Sequence, residues 1–202
     1  MLVETEVAVS ERKVGMTERR AEIAEAGIRI LAARGVRAFT HLGIDRELGL
    51  PDGSTSYYAR SRNDLINLVV EHLAARSSDE LTAQTIPAEL TPPIVASLVV
   101  AGLDTAMQRA DDHSARLVLL LECRNNAEIR KELVTRPQVR SSFIAMATTM
   151  LRRLGIPHPA EHAHDFASLV DGMLMQRILR AAPSNEAAIV TAYLDGLLAR
   201  RA

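Results

Sequence analysis

The sequence predicts an all-α protein, and three observations carry that expectation. Apolar residues make up 48% of the chain and aromatics 3%, with no Trp, a balance that suits Ala- and Leu-rich helices better than sheets. Helix-start residues recur at Thr17, Thr40, Ser61 and Thr91, each directly before a periodic stretch. Within those stretches the apolar residues return every three or four positions, the spacing of one helix face. At 202 residues the chain suits one large or two small domains, enough for a substantial core.

The elements follow in order. Residues 1–16 have weak periodicity and read as a flexible N-terminal arm, in which Arg12 and Lys13 either reach a phosphate or belong to a solvated tail. Thr17 caps the first expected helix, with Glu18 in its first turn and Ile23, Ala26, Ile30 and Leu31 facing inward. Gly35 ends it, and Phe39 staples the start of the next helix at Thr40. Leu42, Ile44 and Leu48 are expected in the core. Gly49 stops this helix in a left-handed conformation that glycine reaches cheaply, and Pro51 fixes the start of the following one. That following helix holds Asp52-Gly53-Ser54-Thr55-Ser56-Tyr57-Tyr58, small hydroxyl residues and two tyrosines with almost no apolar content. Burial does not explain so polar a helix; contact with something wet and charged does. Short helix, tight turn and short helix together match a helix-turn-helix, whose second helix lies in the DNA major groove.

Ser61 and Asp64 form a capping box for a connecting helix over 63–81, running through Leu65, Ile66, Leu68, Val69 and Leu73. Residues 82–93 are a linker with three prolines, after which Thr91 and Pro92 start a second helical region. Breaks are expected at Asp111-Asp112, near Asn125-Asn126, at Arg136-Pro137, across Gly155–Pro159 and at Pro183-Ser184. Leu117 to Leu121 are apolar all round, which predicts a central, enclosed helix. Glu122, Cys123 and Arg124 follow, either anchors for a small molecule or a helix end returning to solvent. Two long helices, Ala160–Ala181 and Ser184–Arg200, close the chain. Phe166, Leu169, Val170, Met173 and Leu174 form a stripe on one, and Ile189, Val190, Tyr193, Leu194 and Leu197 a stripe on the other. Such a pair either closes a core or meets its twofold copy in a four-helix bundle.

Charge and chemistry narrow the function. Net charge is −1, so a nucleic-acid surface has to be local. Residues 12–62 hold ten Lys/Arg against six Asp/Glu, a net of +4, while residues 63–202 hold fourteen against sixteen, a net of −2. The sign is the one a DNA-binding N-terminus needs. The single Cys123 excludes a disulfide framework within one chain, and no apolar run approaches a membrane span. Glu4, Glu6 and Glu11 leave no basic-then-apolar signal layout, so a cytoplasmic protein is expected. His158, Glu161, His162, His164 and Asp165 cluster at a helix start, where polar residues are common, and no HExxH or spaced Cys/His pattern supports a metal there. No nucleophile elbow, P-loop or GxGxxG is present either; no enzyme, metal or cofactor is expected.

The segment from about Thr17 to Leu68 resembles the DNA-binding domain of the TetR family of transcriptional repressors. Its slots are filled by Gly35, Thr40, Ile44, Leu48-Gly49-Leu50, Gly53-Ser54, Tyr58 and Ser61-Arg62 with Leu65-Ile66, in register without a gap over about a quarter of the chain. Ser56 stands where the family has tyrosine, Thr55 where it has a core leucine, Ala59 where it has phenylalanine and Asp45 where it has alanine. The resemblance implies a helix-turn-helix domain over 17–62 and an effector-binding and dimerisation domain over 63–202. It implies dimerisation through the last two long helices at Phe166, Leu169, Val170, Met173, Leu174, Val190, Tyr193, Leu194 and Leu197. DNA is expected at Thr40, Ser54, Ser56, Tyr57, Tyr58, Arg60 and Arg62, the last by the family's phosphate contact at the fourth helix. Met107, Leu120, Cys123, Phe143, Met146 and Met173 are the expected lining of an effector cavity, each also explicable as plain core. The partners implied are double-stranded DNA with a palindromic operator, a second copy of the chain and a small-molecule effector. Two other readings stay open: a helical small-molecule-binding protein whose altered reader no longer binds DNA, and an all-α enzyme with a scattered site.

Overall fold

The computed structural model describes residues 2–81, 86–127, 137–179 and 184–200. Among them it is all helical: α1 (Leu2–Arg34), α2 (His41–Glu47), α3 (Ser54–Tyr58), α4 (Arg62–Leu81), α5 (Pro92–Met107), α6 (Ala110–Glu122), α7 (Pro137–Arg153), α8 (Pro159–Ile178) and α9 (Glu186–Ala199). The expected boundaries at Arg136, Ala181 and Pro183, and linker residues 82–85, lie outside the described residues. No described helix is long and apolar enough to cross a membrane.

Contacts divide the chain into two compact units, Met1–Arg76 with Asp111–Thr135, and Ser77–Ala110 with Arg136–Ala202. The first unit extends beyond residue 62, since α4 as far as Arg76 and most of α6 belong with the first three helices.

In the first unit α1, α4 and α6 enclose a core of Ile23, Ile30, Leu31, Phe39, Ile44, Leu65, Val69 and Leu119, all essentially inaccessible. Gly27 marks the tightest approach, since a Cβ there would stand 2.8 Å from both the Phe39 ring and Val69. A polar seam ties the same three helices together. Glu25 accepts from His72 Nε2 at 3.1 Å and Arg76 Nη1 at 2.8 Å, and Arg76 Nε reaches Asp112 at 3.3 Å. Burial pushes the Glu25 carboxyl up, but the His72 hydrogen bond and the Arg76 charge outweigh it and hold the group below its usual range.

Local signals explain the element ends. Thr40 and Thr91 are N-caps whose hydroxyls accept from Gly43 and Ile94 N–H. Ser61 and Asp64 exchange side-chain to backbone bonds at 2.9 and 3.1 Å, closing the capping box before α4.

Three expectations need correction here. The chain is helical from Leu2, not from Thr17, and the interior Gly15 costs it only about 1 kcal/mol. Leu42, expected in the core, is exposed. The run Leu117–Leu121 is not enclosed all round: Leu119 is buried, but Leu121 is 71% exposed.

In the second unit α9 packs on α5, and α8 packs on α7 and α5. Val95, Leu103, Leu151, Phe166, Met173, Val190, Leu194 and Leu197 are buried there. Arg177 clamps Glu186 through two bonds of 2.8 and 2.5 Å and reaches Asp104 at 2.6 Å, joining the end of α8 to the starts of α9 and to α5.

Candidate nucleic-acid interface

The reader is built by a turn of six residues between α2 and α3. Leu48 ends α2, and Gly49 follows at φ +64° as expected. Leu50 N–H then reaches back to Asp45 C=O at 2.8 Å and Gly49 N–H to Arg46 C=O at 3.3 Å, the paired bonds of a Schellman stop. Pro51 does not open α3 directly. Its carbonyl accepts from Ser54 N–H at 3.1 Å and Ser54 Oγ at 2.6 Å, so the helix begins three residues later, at Ser54.

Gly53, at φ +93°, caps α3 with no side chain of its own. A carboxylate from α2 fills that place. Asp45 Oδ2 accepts from Gly53 N–H at 2.8 Å, and Oδ1 accepts from Thr55 N–H at 2.8 Å and Thr55 Oγ1 at 2.6 Å. Asp45 and Thr55 are both fully buried. Burial pushes the Asp45 carboxyl up, yet the bonds from Thr55 and Gly53 and the nearby His41 outweigh it and hold it below its usual range. These are the two polar replacements noted in the sequence, and the structure brings them together. Sequence reasoning could not pair them, because an aspartate on a short helix reads as solvated.

On the outer side of α3, Ser56 is exposed and Tyr57 is 76% exposed. Tyr58 is half-buried against the core and meets Tyr57 edge-on, with ring centroids 5.1 Å apart. Its carbonyl accepts from Arg20 at 3.3 Å, and the Ala59 carbonyl lies 2.7 Å from His41 Nε2, which therefore carries the proton. Ala59 itself is buried. Thr40 stays exposed while its oxygen caps α2. Arg20, Tyr57, Tyr58, Arg60, Asp64, Asn67, Leu68 and Glu71 line an open polar groove of about 360 Å³ beside α3. Arg20 and Asn67 were missed in the sequence; no local signal separates them from other polar residues on a helix exterior.

Arg62, expected at a phosphate, makes three contacts within the protein. Its guanidinium donates to Phe39 C=O at 3.1 Å and Val36 C=O at 3.4 Å and pairs with Glu122 at 3.4 Å. These bonds engage the guanidinium with protein oxygens, while the side chain remains partly exposed.

The other expected sites distribute as follows. Of the cavity residues, Leu120 and Cys123 belong to the first unit, and Met107, Phe143, Met146 and Met173 to the second. Burial pushes the Cys123 thiol up, the Glu122 charge adding to it and the Arg62 charge opposing it. Of the interface residues, Phe166, Met173, Val190, Leu194 and Leu197 are buried within their own unit, while Leu169, Val170, Leu174 and Tyr193 are only partly covered. The first five pack inside the subunit instead of facing outward, because α5 and α7 already cover that side. Met175, Leu179 and Ile189 are the large apolar residues these helices leave exposed. Among the described residues, no three His, Cys, Asp or Glu side chains converge to hold a metal.

Comparison with known proteins gives one picture. Residues 90–200 match the family described as "Tetracyclin repressor-like, C-terminal domain". The chain is 24% identical over 176 residues to the HTH-type transcriptional regulator BetI of Cronobacter sakazakii, covering 86% of each. It is 26% identical over 189 residues to BetI of Agrobacterium fabrum, covering 91% of this chain and 90% of the relative. Its fold is similar to that of the multidrug binding protein EbrR, solved with imidazole, at a TM-score of 0.57 and 20% identity over 89% of this chain and 94% of that one.

Proposed function

The chain belongs to the tetracyclin repressor-like (TetR) family and is a DNA-binding transcriptional regulator, and on that premise we propose that it is a homodimeric repressor released from its operator by a small molecule. The observation that carries the reading is α3: a short helix with exposed Ser56 and Tyr57, held on a turn by buried hydrogen bonds. Hydroxyls exchange hydrogen bonds with base edges and phosphates, and the Tyr57 ring suits a thymine methyl or a sugar. Thr40, Ser54, Tyr58 and Arg60 complete the contact surface, with Arg20 adding charge beside it. One helix covers only a few base pairs, so specificity calls for two half-sites about 34–36 Å apart and hence a twofold pair of chains. Leu169, Val170, Leu174 and Tyr193, with the exposed Met175, Leu179 and Ile189, supply the apolar surface for that pairing.

The effector is proposed to bind among the helices of the C-terminal region near Phe143, Met146 and Met173, where flexible methionines adapt to a ligand. Its binding would favour a dimer geometry in which the two reader helices no longer match the half-sites. Linkage then requires DNA to weaken effector binding by the same factor. The fold shared with a multidrug binding protein supports a small-molecule site of this kind. The test is selection of bound duplexes from a random pool at near-physiological salt, followed by a screen for compounds that release them. Enrichment of an inverted repeat and its release by a compound are expected. A chain that enriches no sequence supports instead the reading of a ligand-binding protein with a silent reader.

A further inference from the structure

We propose that Asp45 is the residue that positions the recognition helix for base discrimination. The inference rests on the reading of α3 as the DNA-contacting helix. A five-residue helix has no stability of its own, since a single turn fixes several dihedrals for each hydrogen bond gained. Its angle must therefore be imposed from outside. Asp45 does this from both ends of the turn. Its backbone carbonyl accepts from Leu50 at 2.8 Å, holding the backbone that leaves α2. Its side chain accepts from Gly53 and Thr55, at 2.8 and 2.8 Å on the backbone and 2.6 Å on the hydroxyl, holding the first turn of α3. Both carboxylate oxygens are occupied from different directions, so the group has no freedom to rotate.

An apolar pair at these two positions would fill the space without burying a charge, and buried charges are costly unless fully hydrogen-bonded. What the carboxylate adds is direction. Apolar contact is non-directional, whereas three hydrogen bonds converging on one carboxylate restrain the tilt of the helix in several directions at once. Tyr57 lies two residues beyond Thr55, so a tilt at the cap moves its ring across the bases. Phosphate contacts made by long arginines absorb the same tilt, while base contacts do not. Asp45 touches no DNA in this scheme. It is a positioning residue.

The experiment uses the full-length chain and the variants Asp45→Asn, Thr55→Val and Thr55→Ser. Each is measured for melting temperature, for affinity toward a duplex selected by the wild type, and for affinity toward an unrelated duplex of equal length at the same salt. Asp45→Asn keeps the shape but places an amide N–H against the Gly53 N–H. It is expected to weaken binding to the selected duplex about tenfold while changing the unrelated duplex by less than about twofold. Thr55→Ser keeps both donors and should retain wild-type discrimination, and Thr55→Val, missing one donor, should fall between. If Asp45→Asn does not fold, the contrast between Thr55→Val and Thr55→Ser decides the matter in the same direction. Equal losses on both duplexes would reduce Asp45 to a structural role and overturn the proposal. So would wild-type discrimination by both Asp45→Asn and Thr55→Val. A wild type that prefers no duplex removes the DNA reading itself, and this proposal with it.

Discussion

Tyr57 is 76% exposed, so whatever it does, it does to something outside its own core. Tyr57→Ala should change unfolding free energy by less than about 1 kcal/mol, as expected for a surface site with one edge-on aromatic neighbour. The same substitution should weaken binding to a selected duplex by about 1–3 kcal/mol, the range for a base contact. Parallel melting and binding measurements separate the two effects. Arg60 and Arg62, two residues apart, should behave differently. Arg60 is exposed beside the groove, and Arg60→Ala should lower the slope of log affinity against log salt by about 1. Arg62→Ala should leave that slope unchanged and lower stability by about 1 kcal/mol, mostly from the lost carbonyl bonds, since the partly exposed pair with Glu122 is worth little. Asp45 adds a pH dependence. Its folded carboxyl titrates below the usual 3.8, so its contribution is complete above that value and is lost as pH falls through the lower folded value. Acid unfolding should therefore shift to higher pH in Thr55→Val, where the carboxylate loses a donor. Gly49 was legible in the sequence because its conformation is set by immediate neighbours. Asp45 and Thr55 were not, since their partnership spans ten residues and puts polar groups where the TetR family has alanine and leucine.

At the scale of elements, what the sequence disclosed was whatever is decided locally. Thr40, Thr91 and the Ser61–Asp64 box were readable because a cap and its partner lie within three residues. The start of α1 was not, because Thr17 mimics a cap inside a helix that continues through it. The stripes on α8 and α9 show the limit most clearly. Periodicity reveals that a face is apolar but not which chain covers it, and Phe166, Met173, Val190, Leu194 and Leu197 are covered by their own unit. Phe166→Ala should accordingly cost about 3–5 kcal/mol of unfolding free energy in a denaturant titration, as a large cavity in a closed core does. If it merely dissociated a dimer, the loss would vary with protein concentration; an invariant loss is expected. Gly43 packs so closely on the Ala38 carbonyl that Gly43→Ala must shift the start of α2, lowering stability although alanine is the better helix former.

For the whole molecule, the composition and the +4 balance of residues 12–62 point to helices and to a polyanion from the sequence alone. The grouping of α6 with the first three helices was invisible, since it depends on contacts such as Arg62–Glu122 between residues 60 apart. The proposed dimer offers α3 twice, by a twofold axis, to successive major grooves on one face of a duplex. The most direct test is affinity for a selected inverted repeat as its spacer is lengthened. Insertion of roughly 5 bp, half of a turn of about 10.5 bp, places the second half-site on the opposite face and should weaken binding at least tenfold. Unchanged affinity across that insertion would contradict the paired arrangement.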